Sequence, residues 1–342
     1  MLPVTVSHVC RTWRSLALLT PQLWRRINVD LSVALRHKTA EMWKERIQRA
    51  KACTLDVKLL SWFAKRGLIH HPQLPDASSV QWYMYLINPT VHRWRSLEIR
   101  FIHYAPFLWN AALSELCSRS SNIRALCLEE LTLVYPRNDD AKEFCLFSGS
   151  APRLTRLTVD GVRLTWLPSL FHNLTYLDYT HHGFTGGPYA IYEIIALLRT
   201  CCRLIELALS WPLRNVDPLV PNSLHVPALR RVALPCLSTL RLKVDTADIP
   251  RELGHLLTFI YTPALLYLHY MDPGRRRHPF PSLQSFLHTY PPPTSTRLLS
   301  LEHGWYNDII LFNLLNRLPH LQQIVVKHLH LPNEVFHVYS SL

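Results

Sequence analysis

The chain has 342 residues, of which 48% are hydrophobic and 18% charged, a composition typical of a folded protein and not of a disordered one. Only nine glycines are present, which argues against glycine-rich nucleotide-binding loops. Lysine plus arginine total 37 against 24 for aspartate plus glutamate, giving a net charge of +13 that favours acidic partners without specifying a fold.

The distribution of charge and apolar residues narrows the class of protein. The one dense basic cluster, Arg275 to Arg277, has the sequence of a solvated loop tip and no nucleic-acid recognition motif, so we expect no nucleic-acid binding. No signal peptide is indicated, because Arg11 and Arg14 interrupt the first apolar run. The most apolar window is short and contains Pro263, which predicts no membrane span. Eight cysteines without C-x-x-C spacing are typical of reduced thiols, so we expect a cytoplasmic or nuclear protein.

At the N-terminus, VSHVCRTWRSLALLTPQLW predicts an amphipathic helix over residues 6–18. Its apolar stripe consists of Val6, Val9, Cys10, Trp13, Leu16 and Ala17. Thr20 followed by Pro21 has the pattern of an N-cap and a first helical position, and predicts a second helix over residues 21–27. Spacing alone therefore predicts a small helical hairpin with two large aromatic residues to bury.

After a connecting helix, the strand-like segment TLDVKL and the loop-like segment HHPQLPDASS lead to QWYMYLIN, which we predict to be helical because DASS offers capping residues. The rest of the chain repeats the spacing L-x-x-L-x-L, seen best in APRLTRLTVD at 151–160. Side chains alternate along a strand, so Leu157 and Val159 share one face. Further copies are Trp94/Leu97/Ile99, Ile123/Leu126/Leu128, Leu174/Leu177/Tyr179, Leu204/Leu207/Leu209, Leu229/Val232/Leu234, Leu237/Leu240/Leu242, Leu265/Leu268/Tyr270 and Leu321/Ile324/Val326.

A reduced copy retains only Leu299 and Leu301, and the copies at 229 and 237 are too close to be two full units. First positions are mostly about 20 to 36 residues apart, the range of solenoid repeats. Apolar residues at helical spacing precede three copies, over 191–198, 253–260 and 311–318. Pro250 is predicted to be a first-turn residue of the second helix, and Asp308 the N-cap of the third.

Residues 90–330 therefore resemble the irregular leucine-rich-repeat family, which implies an α/β solenoid of parallel strands alternating with helices. The alternative is an ordinary α/β domain with a parallel sheet. The segment LPNEVFHVYSSL after the last copy predicts the start of another helix, so the repeat array has no visible polar cap.

The N-terminal segment resembles the second half of an F-box, in the form with a V-C-x-x-W-R helix, a Thr/Pro turn and L-W. Two further segments resemble the blocks that follow it in fungal F-box families. The first combines Trp43 and Arg46 with TLDVKL, and the second is RWRSLEIRF at 93–101. We therefore expect a partial F-box-like helical segment at 1–35, a connecting helix with a first repeat or capping region at 36–90, and the repeat solenoid at 91–342.

The resemblance implies a substrate-recognition adaptor of a cullin–RING ubiquitin ligase of the SCF type, with the F-box docked on the Skp adaptor and the repeats bound to an unknown target protein. The residues it assigns to the F-box core or its adaptor-facing side are Val9, Cys10, Trp13, Leu16, Leu23 and Trp24. The family's first helix, L-P-x-E-I-L, has no counterpart, so either the chain is incomplete or its docking is weakened. The alternative is a repeat scaffold that binds a protein partner without any ligase.

No catalytic or nucleotide-binding motif is present, and we expect neither an enzyme nor a cofactor. Nineteen histidines raise the question of a metal. The pairs His70-His71 and His181-His182 are expected to diverge, and His328 and His330 lack a third ligand at supporting spacing, so we expect no metal site. HHGFTGG stands where a phosphate-binding turn would, but we expect a flexible loop.

The predicted activity is therefore the binding of a partner protein at the surface of the repeat region. In a leucine-rich solenoid the residues between the repeated leucines face the partner, and tyrosine and arginine contribute strongly to interfaces. The predicted target-binding patch, basic and aromatic and suited to an acidic or phosphorylated segment, consists of Arg231, Arg241, Lys243, Tyr267 and His269.

Overall fold

The computed structural model describes residues 2–31, 37–61, 76–102, 104, 107–117, 123–212, 229–327 and 334–337. The chain forms two compact units, Met1–Asn173 and Leu174–Leu342. Each unit combines helices with a mainly parallel sheet, which confirms the α/β class. The predicted histidines His70, His71, His328 and His330 lie outside the described residues.

The first unit contains helices α1 to α6 and strands β1 to β7. In chain order these are α1 Leu2–Ser7, α2 Arg11–Leu19, β1 Arg26–Asp30, α3 His37–Arg49, β2 Leu55–Ser61, α4 Ala77–Ile87, β3 Trp94–Phe101, α5 Leu108–Leu113, β4 Glu130–Val134, β5 Glu143–Phe144, β6 Arg156–Asp160, β7 Arg163–Leu164 and α6 Pro168–Phe171.

Five strands of this unit pair in the order β1-β2-β3-β4-β6, all parallel, and β5 pairs with β7 in a small separate sheet. Two rows of buried aliphatic side chains cross the five strands in register. They are Ile27, Val57, Leu97, Leu131 and Leu157 in one row, and Val29, Leu59, Ile99, Leu133 and Val159 in the other. Strand β2 begins within the strand-like segment TLDVKL, in the region 36–90 that was expected to hold a connecting helix and a first repeat or capping region, and β1 lies before it.

One predicted repeat copy was wrong. Ile123/Leu126/Leu128 does not form the strand, and Leu126 is 49% exposed. The strand is β4, in which the same spacing is met by Leu128, Leu131 and Leu133, all buried. The two copies share Leu128. Only the later copy pairs in register with the buried side chains of β3 and β6.

The second unit contains helices α7 to α10 and strands β8 to β16. In chain order these are β8 Tyr176–Thr180, α7 Gly187–Thr200, β9 Glu206–Pro212, β10 Val232–Ala233, β11 Thr239–Asp245, α8 Arg251–Thr258, β12 Ile260–Tyr261, β13 Tyr267–Met271, α9 Leu283–Thr289, β14 Leu298–Glu302, α10 Asp308–Leu315, β15 Gln323–Lys327 and β16 Glu334–His337.

Strands β8, β9, β11, β13, β14 and β15 pair in that order and are parallel, while β16 is antiparallel to β15. Buried rows again cross the parallel strands, one through Leu177, Leu207, Leu240, Leu268, Leu299 and Ile324 and the other through Tyr179, Leu209, Leu242, Tyr270, Leu301 and Val326. The copy at 237 lies in this sheet, whereas the copy at 229 forms only β10, paired with β12 in a separate small sheet. The helix predicted after the last copy was wrong, because Glu334–His337 is a strand.

The helices predicted before the copies at 204, 265 and 321 are confirmed as α7, α8 and α10. The cap of α10 is Asn307, one residue before the predicted Asp308, and its side chain accepts a hydrogen bond from the N–H of Ile310. The helix predicted in QWYMYLIN is confirmed as α4, which is capped by Asp76. Hydrogen bonds from Ser78 and Ser79 hold the pKa of Asp76 below its usual value.

The N-terminal helices differ from the prediction. The helix expected over 6–18 is broken into α1 and α2, because Cys10 has an extended backbone at φ −156°. The helix expected over 21–27 is a single 3-10 turn, Pro21–Trp24, followed by strand β1. Thr20 does not cap that turn with its side chain, and its hydroxyl donates to the carbonyl of Leu16 at 2.7 Å.

Gly161 provides a direct test of the close packing of the first unit. Its φ is +77°, and a Cβ there would lie 1.9 Å from the carbonyl oxygen of Tyr135. We expect Gly161→Ala to lower the free energy of unfolding by more than about 2 kcal/mol, because left-handed strain adds to a clash with backbone. Gly187→Ala is the control, since φ is +54° but nothing lies within 4 Å. Equal shifts of the urea midpoint for the two variants would contradict the close contact.

Candidate functional site

The first candidate surface is built around Trp24. This indole is buried, and its Nε1–H donates to the carbonyl of Ala17 in α2 at 2.7 Å. The Arg49 guanidinium of α3 lies 4.5 Å from the centre of the same ring. A buried hydrogen bond and a cation–π contact on one side chain therefore hold the end of α2 against α3.

On α2 and the turn before it, large apolar side chains remain in water. Val9 is 66% exposed, Trp13 51%, Leu16 53% and Leu19 72%. We call these four residues the N-terminal stripe, because they are three or four positions apart along the chain and share a face where it is helical. Exposed apolar patches of this kind mark protein interaction sites.

The structure sorts the six residues assigned to the F-box by burial. Val9, Cys10, Trp13 and Leu16 are exposed, Leu23 is half-buried, and Trp24 is buried. Trp24 is therefore a packing anchor, and the first four are available to a partner. Leu19 was missed, although its place three residues after Leu16 is the signal that could have found it.

The second candidate surface is one face of the second unit's sheet, which we call the open face. Its side chains alternate with the buried rows, and most are half-buried or exposed. Arg241 stands beside His269, Thr239 beside Tyr267, and Lys243 beside Met271. Four of the five predicted target-binding residues, Arg241, Lys243, Tyr267 and His269, are thus brought together. Arg231 is exposed but precedes β10, outside these rows.

The cations of the open face are neutralised within the unit. Arg241 forms an ion pair with Glu206 of β9, and Lys243 binds both carboxylate oxygens of Asp178 at 2.9 and 2.8 Å. At the far end of the face, Lys327 pairs with Glu302 at 2.8 Å. The part of the predicted basic patch that lies on the open face is therefore close to charge-balanced.

His269 occupies the middle of this face. Burial lowers the pKa of its imidazole, and the charges of Arg241 and Lys327 lower it further, against an opposing effect of Glu302. Across the strands His269 has Arg241 on one side and the buried Ser300 on the other, and the buried Ala208 follows beyond Arg241. At neutral pH the centre of the open face is thus an uncharged imidazole beside Tyr267, which is 41% exposed.

A third group lies at the carboxyl end of β8. The rings of His181 and His182 stack with centroids 4.8 Å apart, His181 stacks on Trp211 at 5.1 Å, and His182 on Phe184 at 5.4 Å. The prediction that the adjacent histidines diverge was wrong, because they lie in a loop and not in a regular strand or helix. HHGFTGG was expected to be a flexible loop, yet His181, His182, Phe184 and Thr185 are buried.

Hydrogen bonds assign the protons of this histidine pair. The N–H of Gly183 donates to His181 Nδ1 at 3.3 Å, and the N–H of Phe184 to His182 Nδ1 at 3.0 Å. With Nδ1 accepting, each neutral ring carries its proton on Nε2. His182 Nε2 then donates to Glu193 at 3.1 Å.

The ligand atoms of His181, His182 and Glu193 lie within 4.8 Å of one another, close enough to be compared with a metal site. A protonated Nε2 has no lone pair for a metal, and Glu193 also accepts a hydrogen bond from Thr185 at 2.5 Å. The geometry favours a hydrogen-bonded anchor of the loop on α7 over a metal centre.

Comparison of the sequence with models of protein families finds no match, and comparison with curated proteins finds none either. In the part of the chain that the structure describes, no helix has both the length and the apolar character needed to cross a bilayer.

The Lys243–Asp178 pair can be tested by a double-mutant cycle. Both side chains are about one-fifth exposed, at 23% and 21%. We expect Lys243→Met and Asp178→Asn to show a coupling energy of about 1 kcal/mol in urea unfolding. The matched pair Lys327→Met and Glu302→Gln, in which the lysine is 46% exposed, should couple less. Additive effects at Lys243 and Asp178 would contradict the charge-balanced open face.

His269 should make stability depend on pH. Its folded-state pKa is lowered from 6.5, so the unfolded chain takes up the proton first as pH falls. Stability is therefore lost on acidification, starting near pH 6.5 and continuing down to the folded-state pKa. We expect His269→Gln to reduce the fall in melting temperature between pH 7 and pH 5. His255→Gln, on the exposed side of α8, controls for the loss of a histidine. An identical pH dependence in wild type and His269→Gln would disprove this.

Proposed function

We propose that the chain is the target-recognition subunit of a cullin–RING ubiquitin ligase of the SCF type and docks on the Skp adaptor through the N-terminal stripe. The observation that carries this proposal is the exposure of Trp13 and Leu16 in front of the buried Trp24. Helix α2 is anchored by the buried Trp24 and exposes large apolar side chains to water. Such a surface is suited to a partner that covers these side chains.

The finer fold proposal is an irregular leucine-rich-repeat solenoid. Three observations support it: the parallel strands pair in chain order, the buried rows keep one spacing, and helices α7, α8 and α10 each precede a strand of the sheet. Right-handed connections between parallel strands in chain order place the helices on one face of the sheet. The other face then remains for binding, as in repeat proteins generally.

We infer that the open face of the second unit binds the target protein. Tyr267 and His269 offer an aromatic and an uncharged hydrogen-bonding group at its centre. An acidic segment would have to displace Glu206 from Arg241 and Asp178 from Lys243. The target proposed here therefore presents apolar and neutral polar groups to this centre, in place of the acidic or phosphorylated segment that the sequence favoured.

Docking is tested by titrating the full chain with purified Skp adaptor. We expect Leu16→Arg to weaken binding about tenfold or more, because it places a charge in the middle of the contact. Ser15→Arg, one residue away and also exposed, adds the same side chain outside the stripe and should bind as wild type does. Trp24→Ala should act differently, lowering the melting temperature through lost core packing.

Two outcomes would change the proposal. If wild type fails to bind but a chain with a complete F-box added upstream binds, docking depends on the L-P-x-E-I-L helix as well as the stripe. If neither binds, the ligase role is wrong and the chain is a repeat scaffold for another partner.

A further inference from the structure

The second unit contains a cavity of about 280 Å³ between its sheet and the C-terminal ends of α8 and α9. Leu240, Leu242 and Leu268 of the strands form its floor. The run Pro291 to Pro293 after α9 and the end of α8 at Leu257 form its walls. An apolar cavity of about 150 Å³ already holds a benzene molecule, so this volume suits a larger ligand, close to two fused rings.

The lining of the cavity carries no charged side chain among the residues described. A buried carboxylate or ammonium group would have no counter-ion there, and its desolvation would oppose binding. Two threonine hydroxyls near the mouth already use their donor, since Thr258 donates to the carbonyl of His255 and Thr289 to that of Ser285. The cavity therefore selects for uncharged molecules.

Tyr270 is the only buried polar side chain of the cavity lining, since the threonines and Tyr290 are half-buried or exposed. Its side chain is 2% exposed and lines the cavity, and no hydrogen bond to its hydroxyl is present within the described residues. Trp305 and Phe286 pack on its ring, with centroids 4.6 and 6.5 Å away, so the direction of the hydroxyl is fixed. Buried tyrosine hydroxyls normally find a partner, which a ligand in the cavity would provide.

The cavity opens on the side where lining residues are exposed, at Thr258, Thr289 and Pro291. Tyr290 stands at this mouth against α8, where Gly254 makes room for it, since a Cβ at 254 would lie 2.5 Å from the ring. A ligand can thus reach Tyr270 without unfolding the unit.

We propose that this cavity binds a small, uncharged and largely apolar molecule with one hydrogen-bonding oxygen, which pairs with the Tyr270 hydroxyl. The volume lies near the lower limit of ordinary ligand pockets, and the combination of apolar walls with one buried polar group is typical of them. This proposal does not depend on adaptor docking.

The test uses 2-naphthol as the probe, naphthalene as the matched compound without oxygen, and 2-naphthalenesulfonate as the charged one, titrated against the full chain by ligand-observed NMR. We expect saturable binding of the first two and none of the third. Tyr270→Phe should weaken 2-naphthol about threefold to tenfold and leave naphthalene unchanged, because only one hydrogen bond is removed. Thr262→Phe, which fills the cavity from its wall, should abolish binding of both probes.

Tyr270→Phe should keep or raise the melting temperature, because it removes a hydroxyl that faces the cavity and makes no hydrogen bond within the described residues, and this confirms that the variant is folded. If Thr262→Phe fails to fold, Leu257→Phe fills the same space. Absence of naphthol binding to wild type, together with a higher melting temperature of the filled variant, would show a packing void and overturn the proposal. Equal binding of 2-naphthol by wild type and Tyr270→Phe would overturn the assigned role of the hydroxyl.

Discussion

The register of the buried rows is the constraint on which the rest of each unit depends. In the first unit Leu97 stands between Val57 and Leu131, and in the second Leu268 stands between Leu240 and Leu299. A slip of one residue in any strand would turn its buried side chains into water. The same register decides which polar side chains become neighbours on the opposite face, so packing on one side determines the recognition surface on the other.

This dependence explains what could be predicted from the sequence. Leu157 and Val159 were placed correctly because strand alternation is a local property, visible in five residues. The choice between Leu126 and Leu131 could not be made locally, because overlapping copies of one spacing satisfy the same pattern. It is settled by pairing with strands more than twenty residues away, where Leu131 meets Leu97 and Leu157.

The candidate sites show the same division. Apolar spacing found Trp13 and Leu16, but it carries no information on the extended backbone of Cys10 that breaks the helix. Alternation placed Lys243 on the open face, yet its ion pair with Asp178, 65 residues earlier, exists only because β9 alone separates their strands. Sequence patterns thus identified surfaces, while the charge state of those surfaces required the sheet order.

The pairing of charges on each surface decides which surface can attract a charged partner. A net charge of +13 favours an acidic partner, but the open face offers little of that excess, since Arg241 and Lys243 are paired. On α2 the situation differs: Arg11 is exposed, and Arg14 donates to the neutral carbonyl of Ser7, with no acidic side chain paired to either in the part of the chain that the structure describes. Both flank the N-terminal stripe, so an apolar contact there is bordered by positive charge. Because local and not total charge steers association, an acidic surface would meet more positive charge beside α2 than on the open face.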